Sequence, residues 1–386
     1  MSTPEAAKFV LATRQKSFLV FRPPSVSRLL NILPSSKDAM KEKSLKSIHD
    51  SLHSELVRNK VGMVDRIARW VLNSWDKQSC VVTYQETKKF AFHVALEAVT
   101  GMGPSIKLVD DFSYINKGMG TSMQFNIPGT SYHMALEKKQ QVLELYSSMV
   151  KKRRPEKSNE KCSLDFLMAL EDEKGKKLPD DLLQSKLLGL TFGAFDTSAA
   201  FFMWLLKFLG ENPQILQQVK AEQAAIRMRK TSPEDPLSWT DIQHMPYSSA
   251  VIQETLRLAS IAPFLTRKAR EDVNYEGVLI PKAWLVQVCL QNFHVSPEYH
   301  KDPLKFDPSR FQGPVKPAGF MPFGNGAQMC PGRELVKIEA LVFLHYLVTT
   351  YSWESIGTEN GINYWPSPTI KGGLPIKVSK LRECVI

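Results

Sequence analysis

Phe323-Gly324-Asn325-Gly326-Ala327-Gln328-Met329-Cys330-Pro331-Gly332 places one thiol among glycines and a proline. An apolar helical pattern follows at once, from Arg333 to about Tyr346. A cysteine on a glycine-rich loop just ahead of a helix has its thiolate favoured by the positive end of the helix dipole. A lone thiolate suits an axial haem ligand better than a zinc site, which needs three or four protein ligands. Taken alone, the segment is also compatible with a buried free cysteine beside a tight turn.

Two further segments bear on that choice. Glu254-Thr255-Leu256-Arg257 lies in a helical pattern from about Tyr247 to Ala259, and its acid and base, three apart, share a face. Gly193-Ala194-Phe195-Asp196-Thr197-Ser198 interrupts an apolar helix with an acid and an alcohol. In this order, an Asp-Thr helix, then Glu-x-x-Arg, then Phe-x-x-Gly-x-x-x-Cys-x-Gly, the chain resembles the cytochrome P-450 monooxygenases. The resemblance implies a mainly α fold with small β-sheets, a single domain over residues 1–386, and haem b as cofactor.

What the resemblance implies for individual residues follows from those motifs. Cys330 is the expected thiolate ligand of the haem iron, and Phe323, Gly326, Gln328 and Gly332 are expected to line the haem. A thiolate donates electron density that favours O–O cleavage, which needs protons. Asp196 and Thr197 match the mid-helix pair that would manage them. The alternative is a hydroxyl bonded back one turn, with the acid paired elsewhere in the core. Glu254 and Arg257, with Arg310 in Phe306-Asp307-Pro308-Ser309-Arg310-Phe311, match a structural charge triad. Arg267 matches a partner of the haem propionates. Gln328 departs from the pattern, since an arginine or histidine is usual two residues before the cysteine. Lys41 and Lys46 are candidates for a further propionate partner. Substrate contacts are expected from Phe192 and Phe195, from Ile261, Ala262 and Phe264, and from Pro368 and Thr369.

Composition sets wider bounds. The chain has 386 residues, 43% of them hydrophobic, enough for a large core. Its 50 Lys+Arg against 39 Asp+Glu give a net charge of +11, which suits nucleic acid, an anionic membrane or an acidic protein. The basic residues are scattered and no nucleic-acid motif is visible. Cys80, Cys162, Cys289, Cys330 and Cys384 show no paired spacing and no Asn-x-Ser/Thr sequon occurs, which favours a reducing, cytosol-facing environment. The apolar run between Lys186 and Lys207 is long enough to span a bilayer. Asp196 at its centre argues instead for a core helix beside a cofactor cavity. His49 and His53, four apart, could share a metal but read better as a solvated helix face.

From Pro4 to about Ala224 the patterns are helical, with Ser2-Thr3-Pro4 as a helix start and the charged run from Lys151 to Lys161 as a linker. Val273 to Pro281 reads as a hairpin, Trp284 to Leu290 as a strand, Phe293 to Pro322 as irregular, and Pro375 to Val378 as a strand. The resemblance is nearest to plant enzymes of isoprenoid metabolism, especially the abscisic acid 8′-hydroxylases. It is carried by Ser2–Lys8, Val251–Arg257, Lys305–Phe311, Phe320–Gly326 and Gly372–Ile376. Arg22 to Asn59 departs strongly. The usual N-terminal membrane anchor and first strand are expected to be absent, which opens a second reading, a truncated haem-binding relative without turnover. For the enzyme, the resemblance implies a hydrophobic isoprenoid-type substrate, an NADPH-dependent cytochrome reductase as electron donor, no nucleic-acid partner, and a place at the cytosolic face of the endoplasmic reticulum. Arg333 and Lys337, just beyond Cys330, are the expected contacts for that partner.

Overall fold

The computed structural model describes residues 1–32, 38–121, 124–154, 162–172, 174–232, 234–313, 319–357 and 361–381. Cys384 and the side chain of Lys41 lie outside the described residues. The first helix, Pro4–Lys8, forms for the reason its sequence gives: Thr3 is extended, its hydroxyl accepts from the Ala6 N–H at 3.3 Å, and Pro4 occupies the first turn.

Among the described residues ten short strands accompany the helices: β1 (Phe18–Val20), β2 (Cys80–Val82), β3 (Phe264–Ala269), β4 (Val273–Tyr275), β5 (Val278–Ile280), β6 (Leu285–Cys289), β7 (Tyr351–Ser355), β8 (Ile362–Asn363), β9 (Thr369–Ile370) and β10 (Pro375–Lys380). They form four antiparallel groups, β1-β3-β6, β2-β10-β7, β4-β5 and β8-β9. β1 and β2 correct the reading of residues 4–224 as wholly helical. Three-residue strands carry too little alternation to be legible locally. Both exist because partners far along the chain supply their hydrogen bonds, as where Val20 faces Arg267.

The centre of the molecule is the 32-residue helix Asp180–Glu211, hereafter the long helix. It packs most extensively on Thr83–Thr100. Phe202 meets Phe90 at 5.2 Å between ring centroids, and Phe343, from the helix Arg333–Thr350, lies 5.0 Å from Phe90 and 4.9 Å from Phe202. Aromatic payload of this size fixes three helices against each other. The long helix is apolar and long enough to cross a membrane by length and composition alone. Here it is a core helix, and Asp196 is buried in it with three polar partners. A smaller apolar cluster, with Ala7, Val10, Leu11, Phe18 and Val288, lies under the N-terminal sheet.

The helix Pro246–Ala259 carries the charge triad. Arg257 donates two bonds to Glu254, both at 2.7 Å, with both side chains wholly buried. Its remaining Nη1 capacity goes to the carbonyls of His294 at 2.6 Å and Pro303 at 2.7 Å. Arg310 approaches Glu254 at 3.3 Å, and the Asp307 N–H donates to the same carboxylate at 2.9 Å. A buried ion pair is tolerable only when its remaining hydrogen-bond capacity is filled in this way. Glu254→Ala should therefore lower unfolding free energy by about 3–5 kcal/mol, the usual result of leaving one buried charge without its partner. Urea unfolding checks this, and a loss under about 1 kcal/mol would show that water already reaches Arg257.

Candidate active site

The cysteine loop is built by backbone bonds. The Gly324 N–H donates to Met321 O at 3.0 Å and the Cys330 N–H to Phe323 O at 3.0 Å, so the chain doubles back and presents the thiol. Gly324 and Gly326 are left-handed, at φ 75° and 76°. A Cβ on Gly326 would stand 2.2 Å from Leu11 O, so only glycine lets the loop lie against the segment Phe9–Thr13. Gln15 Oε1 accepts from the Ala327 N–H at 3.0 Å on the same side. Gly332 caps the helix Arg333–Thr350 and receives the Val336 N–H at 2.9 Å.

Cys330 is exposed by surface area, yet protein is dense around its sulfur. Both hold for a thiol set in a concave wall. That burial pushes the thiol pKa up, while the Gly332 backbone and the Arg333 guanidinium pull it down. The free thiol is therefore held in its protonated form, against the expectation that the helix dipole would favour the thiolate, because burial outweighs the helix end.

The long helix presents an open face at positions four apart. A Cβ at Gly189 or Gly193 would meet nothing within 4 Å, and Thr197, on the same face, is exposed. Its hydroxyl donates to Gly193 O at 2.7 Å, leaving the oxygen lone pairs available. Asp196 points the other way. Its Oδ1 takes Tyr84 Oη at 2.6 Å, Lys88 Nζ at 2.9 Å and Asn116 Nδ2 at 3.0 Å, while Oδ2 is buried without a hydrogen-bond partner. Burial, with Asp196 beside it, pushes the Tyr84 pKa far up and keeps that phenol a donor. The acid and the alcohol are adjacent in sequence and on different sides of the helix, which is the alternative arrangement, a hydroxyl bonded back one turn with the acid paired in the core.

Arg267 on β3 is buried, and no carboxylate pairs with it among the described residues. Arg22, which the sequence reading did not select, lies beside it because β1 pairs with β3 and the Phe21 N–H donates to Thr266 O at 3.2 Å. Burial lowers both guanidinium pKa values, and Arg22 lowers that of Arg267 further. Arg267 buried and Arg22 beside it at the surface present two cations that suit a pair of anionic groups such as haem propionates. Gln328 Oε1 is buried without a partner in the same loop as Cys330. Lys46 is exposed on the helix Asp38–Ser51, and among the described residues no bond connects it with Arg267. The only signal for Arg22 in the sequence was its place just before Pro23-Pro24.

The expected substrate residues separate. Phe192, Ile261 and Ala262 are half-buried and Phe264 is exposed. Phe195 is fully buried, packed edge-on to Phe92 and Phe112, and Lys88 Nζ lies 5.2 Å from its ring. It belongs to the core side of the helix, with Asp196. Pro368 and Thr369 are also buried, and Pro368 O accepts from Trp204 Nε1 at 2.9 Å. His49 and His53 do not share a helix: one ends the segment Asp38–Ser51 and the other precedes Ser54–Arg58. A cleft of about 590 Å³ lined by Asn212, Tyr247, Lys305 and Ser309 contains none of the candidate site residues.

A single thiol on a glycine-built loop, an open helix face and the neighbouring Arg22 and Arg267 guanidiniums suit a haem-thiolate protein. The cytochrome P450 family model matches residues 1–374, and the chain belongs to that family. It is 38% identical over 382 residues to abscisic acid 8′-hydroxylase 4 of Arabidopsis thaliana, covering 97% of this chain and 81% of that protein. It is 37% identical to an abscisic acid 8′-hydroxylase of Solanum lycopersicum, covering 98% and 81%. Among solved structures it is similar to retinoic acid-bound cyanobacterial CYP120A1, with TM-score 0.88, 25% identity, and coverage of 99% of this chain and 88% of that one. The protein is an oxidoreductase of the monooxygenase type, with haem b as cofactor.

Buried titratable groups predict a stability optimum. Burial holds His294 at a pKa of about 3 and His345 at about 4, against 6.5 ordinarily, and pushes Glu339 up to about 8 from 4.5. Below about 6.5 the unfolded chain takes up protons that the folded histidines refuse, so stability falls with pH. Between about 4.5 and 8 folded Glu339 keeps a proton that the unfolded chain loses, so stability falls as pH rises. The histidine effects dominate on the acid side, where burial also lowers His49, His93 and His300, and the melting temperature should peak near neutral pH. Glu339→Gln should flatten the alkaline decline, which a series of thermal melts would reveal.

Proposed function

We propose that the protein hydroxylates a hydrophobic isoprenoid-type small molecule, with abscisic acid the first candidate, at a haem held by Cys330. Two observations support this reading: the Cys330 loop, which offers one ligand for iron, and the neighbouring Arg22 and Arg267 guanidiniums, which offer two cations for propionates. Bound haem supplies activation of O₂, which the thiolate favours by electron donation. One oxygen atom enters the substrate C–H bond and the other leaves as water, with two electrons and two protons consumed. Phe323, Gly326 and Gly332 shape the loop, and Gln328 brings a hydrogen-bonding amide in place of a charge. Thr197 would hold and orient a proton donor: its own proton rests on Gly193 O, which leaves its oxygen free to accept from a water on the open face. Asp196, tied to Tyr84, Lys88 and Asn116, fixes that part of the helix. Phe192, Ile261, Ala262 and Phe264 offer apolar surface to the substrate.

Electrons come from a partner flavoprotein, an NADPH-dependent reductase. Lys337 and Glu334 rim an apolar groove of about 260 Å³ with Trp239, Ile242 and Met245. Arg333 and Lys337 both pair with Glu334, at 2.9 and 3.4 Å, so the cluster nets one positive charge. Most of any long-range attraction then falls to the overall +11. Location at the cytosolic face of the endoplasmic reticulum is supported by family resemblance. Phe125 and Ile127, exposed between the helices Ile106–Met119 and Ser131–Arg153, would suit contact with lipid.

The deciding experiment is a reduced carbon monoxide difference spectrum, followed by product analysis with abscisic acid and a panel of terpenoids. Wild type should give the thiolate-type band and Cys330→Ser should lose it, while Cys80→Ser, Cys162→Ser and Cys289→Ser keep it. A folded, haem-loaded wild type without that band would favour the inactive relative.

Thr197→Ala should uncouple turnover. Reductant consumption continues, peroxide rises, and hydroxylated product falls by about 10²–10⁴-fold, the usual contribution of a proton-delivery group. Fully coupled turnover in the variant would leave Thr197 as a back-bonded helix hydroxyl only.

A further inference from the structure

We infer that His294 is a positioning residue that ties the cysteine loop to the Glu254–Arg257 pair through its two ring nitrogens. It sits in the helix Leu290–His294, at the start of the irregular stretch, and is 1% exposed. No sequence motif singled it out.

The bonds around it fix its tautomer. Ser260 has one hydroxyl proton, and it donates that proton to Arg257 O at 2.9 Å. At 3.0 Å from His294 Nδ1, the Ser260 oxygen must therefore accept, so Nδ1 carries the ring proton. Nε2 is then a bare lone pair, and it accepts the Met321 N–H at 3.1 Å. The backbone carbonyl of His294 takes Arg257 Nη1 at 2.6 Å. One residue is thus bonded to the charged helix by both its ring and its carbonyl.

On the far side the route to the thiol is short. Met321 O receives the Gly324 N–H, and Phe323 O receives the Cys330 N–H, each at 3.0 Å. Phe320, the residue before Met321, packs at 6.0 Å from the imidazole and at 4.7 Å from Phe311. Met321 is the point where the loop meets the rest of the fold, and His294 holds its N–H. Burial keeps the ring neutral, so the acceptor is present throughout the working pH range. The geometry makes His294 the connection through which a structural ion pair sets the position of an iron ligand.

This inference rests on the haem-thiolate reading, and the test separates the two. His294→Leu removes both bonds. His294→Asn keeps a polar group near the Nδ1 position and cannot reach Met321. His294→Gln carries a carbonyl oxygen that can replace Nε2. Two readouts are taken on the purified full chain: the reduced carbon monoxide spectrum, and hydrogen–deuterium exchange of the peptide 319–330. Leu and Asn should exchange about tenfold faster in that peptide, as expected for a buried N–H left without its acceptor. Both should also convert much of the thiolate-type band to the thiol-type band at equal haem content, and Gln should restore both signals. A wild type lacking the thiolate band would sink the haem reading, while the exchange pattern would still judge His294. Unchanged exchange in His294→Asn and His294→Leu, or a lowered melting temperature with the thiolate band intact, would overturn the positioning role.

Discussion

The buried Glu254–Arg257 pair is the interaction on which the arrangement of the rest depends. Withdrawing two full charges from water is costly, and the cost is met only if every donor and acceptor on them is used. Arg257 does this by gathering carbonyls from His294, Pro303 and, at 3.4 Å, Lys305, all from a stretch with little regular structure. The ion pair thereby specifies a path for a segment that hydrophobic periodicity could not specify. The cysteine loop is the continuation of that path, and its glycines let it close against the N-terminal helical segment without a side chain in the way.

The long helix solves a second problem. It must bury an apolar face against Thr83–Thr100 and still offer polar chemistry to an open space. Asp196 goes to the buried face, where Tyr84, Lys88 and Asn116 share one carboxylate oxygen. Lys88 is itself placed 4.2 Å from the Tyr84 ring centre, so its charge is compensated from two directions. Thr197 stays on the open face with the two glycines. Burial of Phe195 with Asp196 follows from the same division, since adjacent residues on a helix point about 100° apart.

Charge is distributed on the same principle of separated roles. Where a basic residue would usually stand near the thiol, this chain has Gln328, and its amide oxygen is buried without a partner. The strand pairing of β1 with β3 brings Arg22 beside Arg267 instead. Arg267 is buried while Arg22 stands at the surface, and two neighbouring like charges favour an anionic partner.

Much of the site was legible in the sequence. Glycines around Cys330, the three-residue spacing of Glu254 and Arg257, the helix start at Thr3 and the hairpin at Val273–Ile280 are local features. Each depends on residues a turn or two apart, so the sequence alone carries them. The tertiary structure decided what depends on distant partners: strands β1 and β2, the separation of Asp196 from Thr197, the burial of Phe195, the neighbourhood of Arg22 and Arg267, and the bonds of His294. Those contacts join residues tens to hundreds of positions apart, such as Tyr84 with Asp196. Backbone pairing and core packing select them, and neither leaves a periodic trace in the amino-acid order.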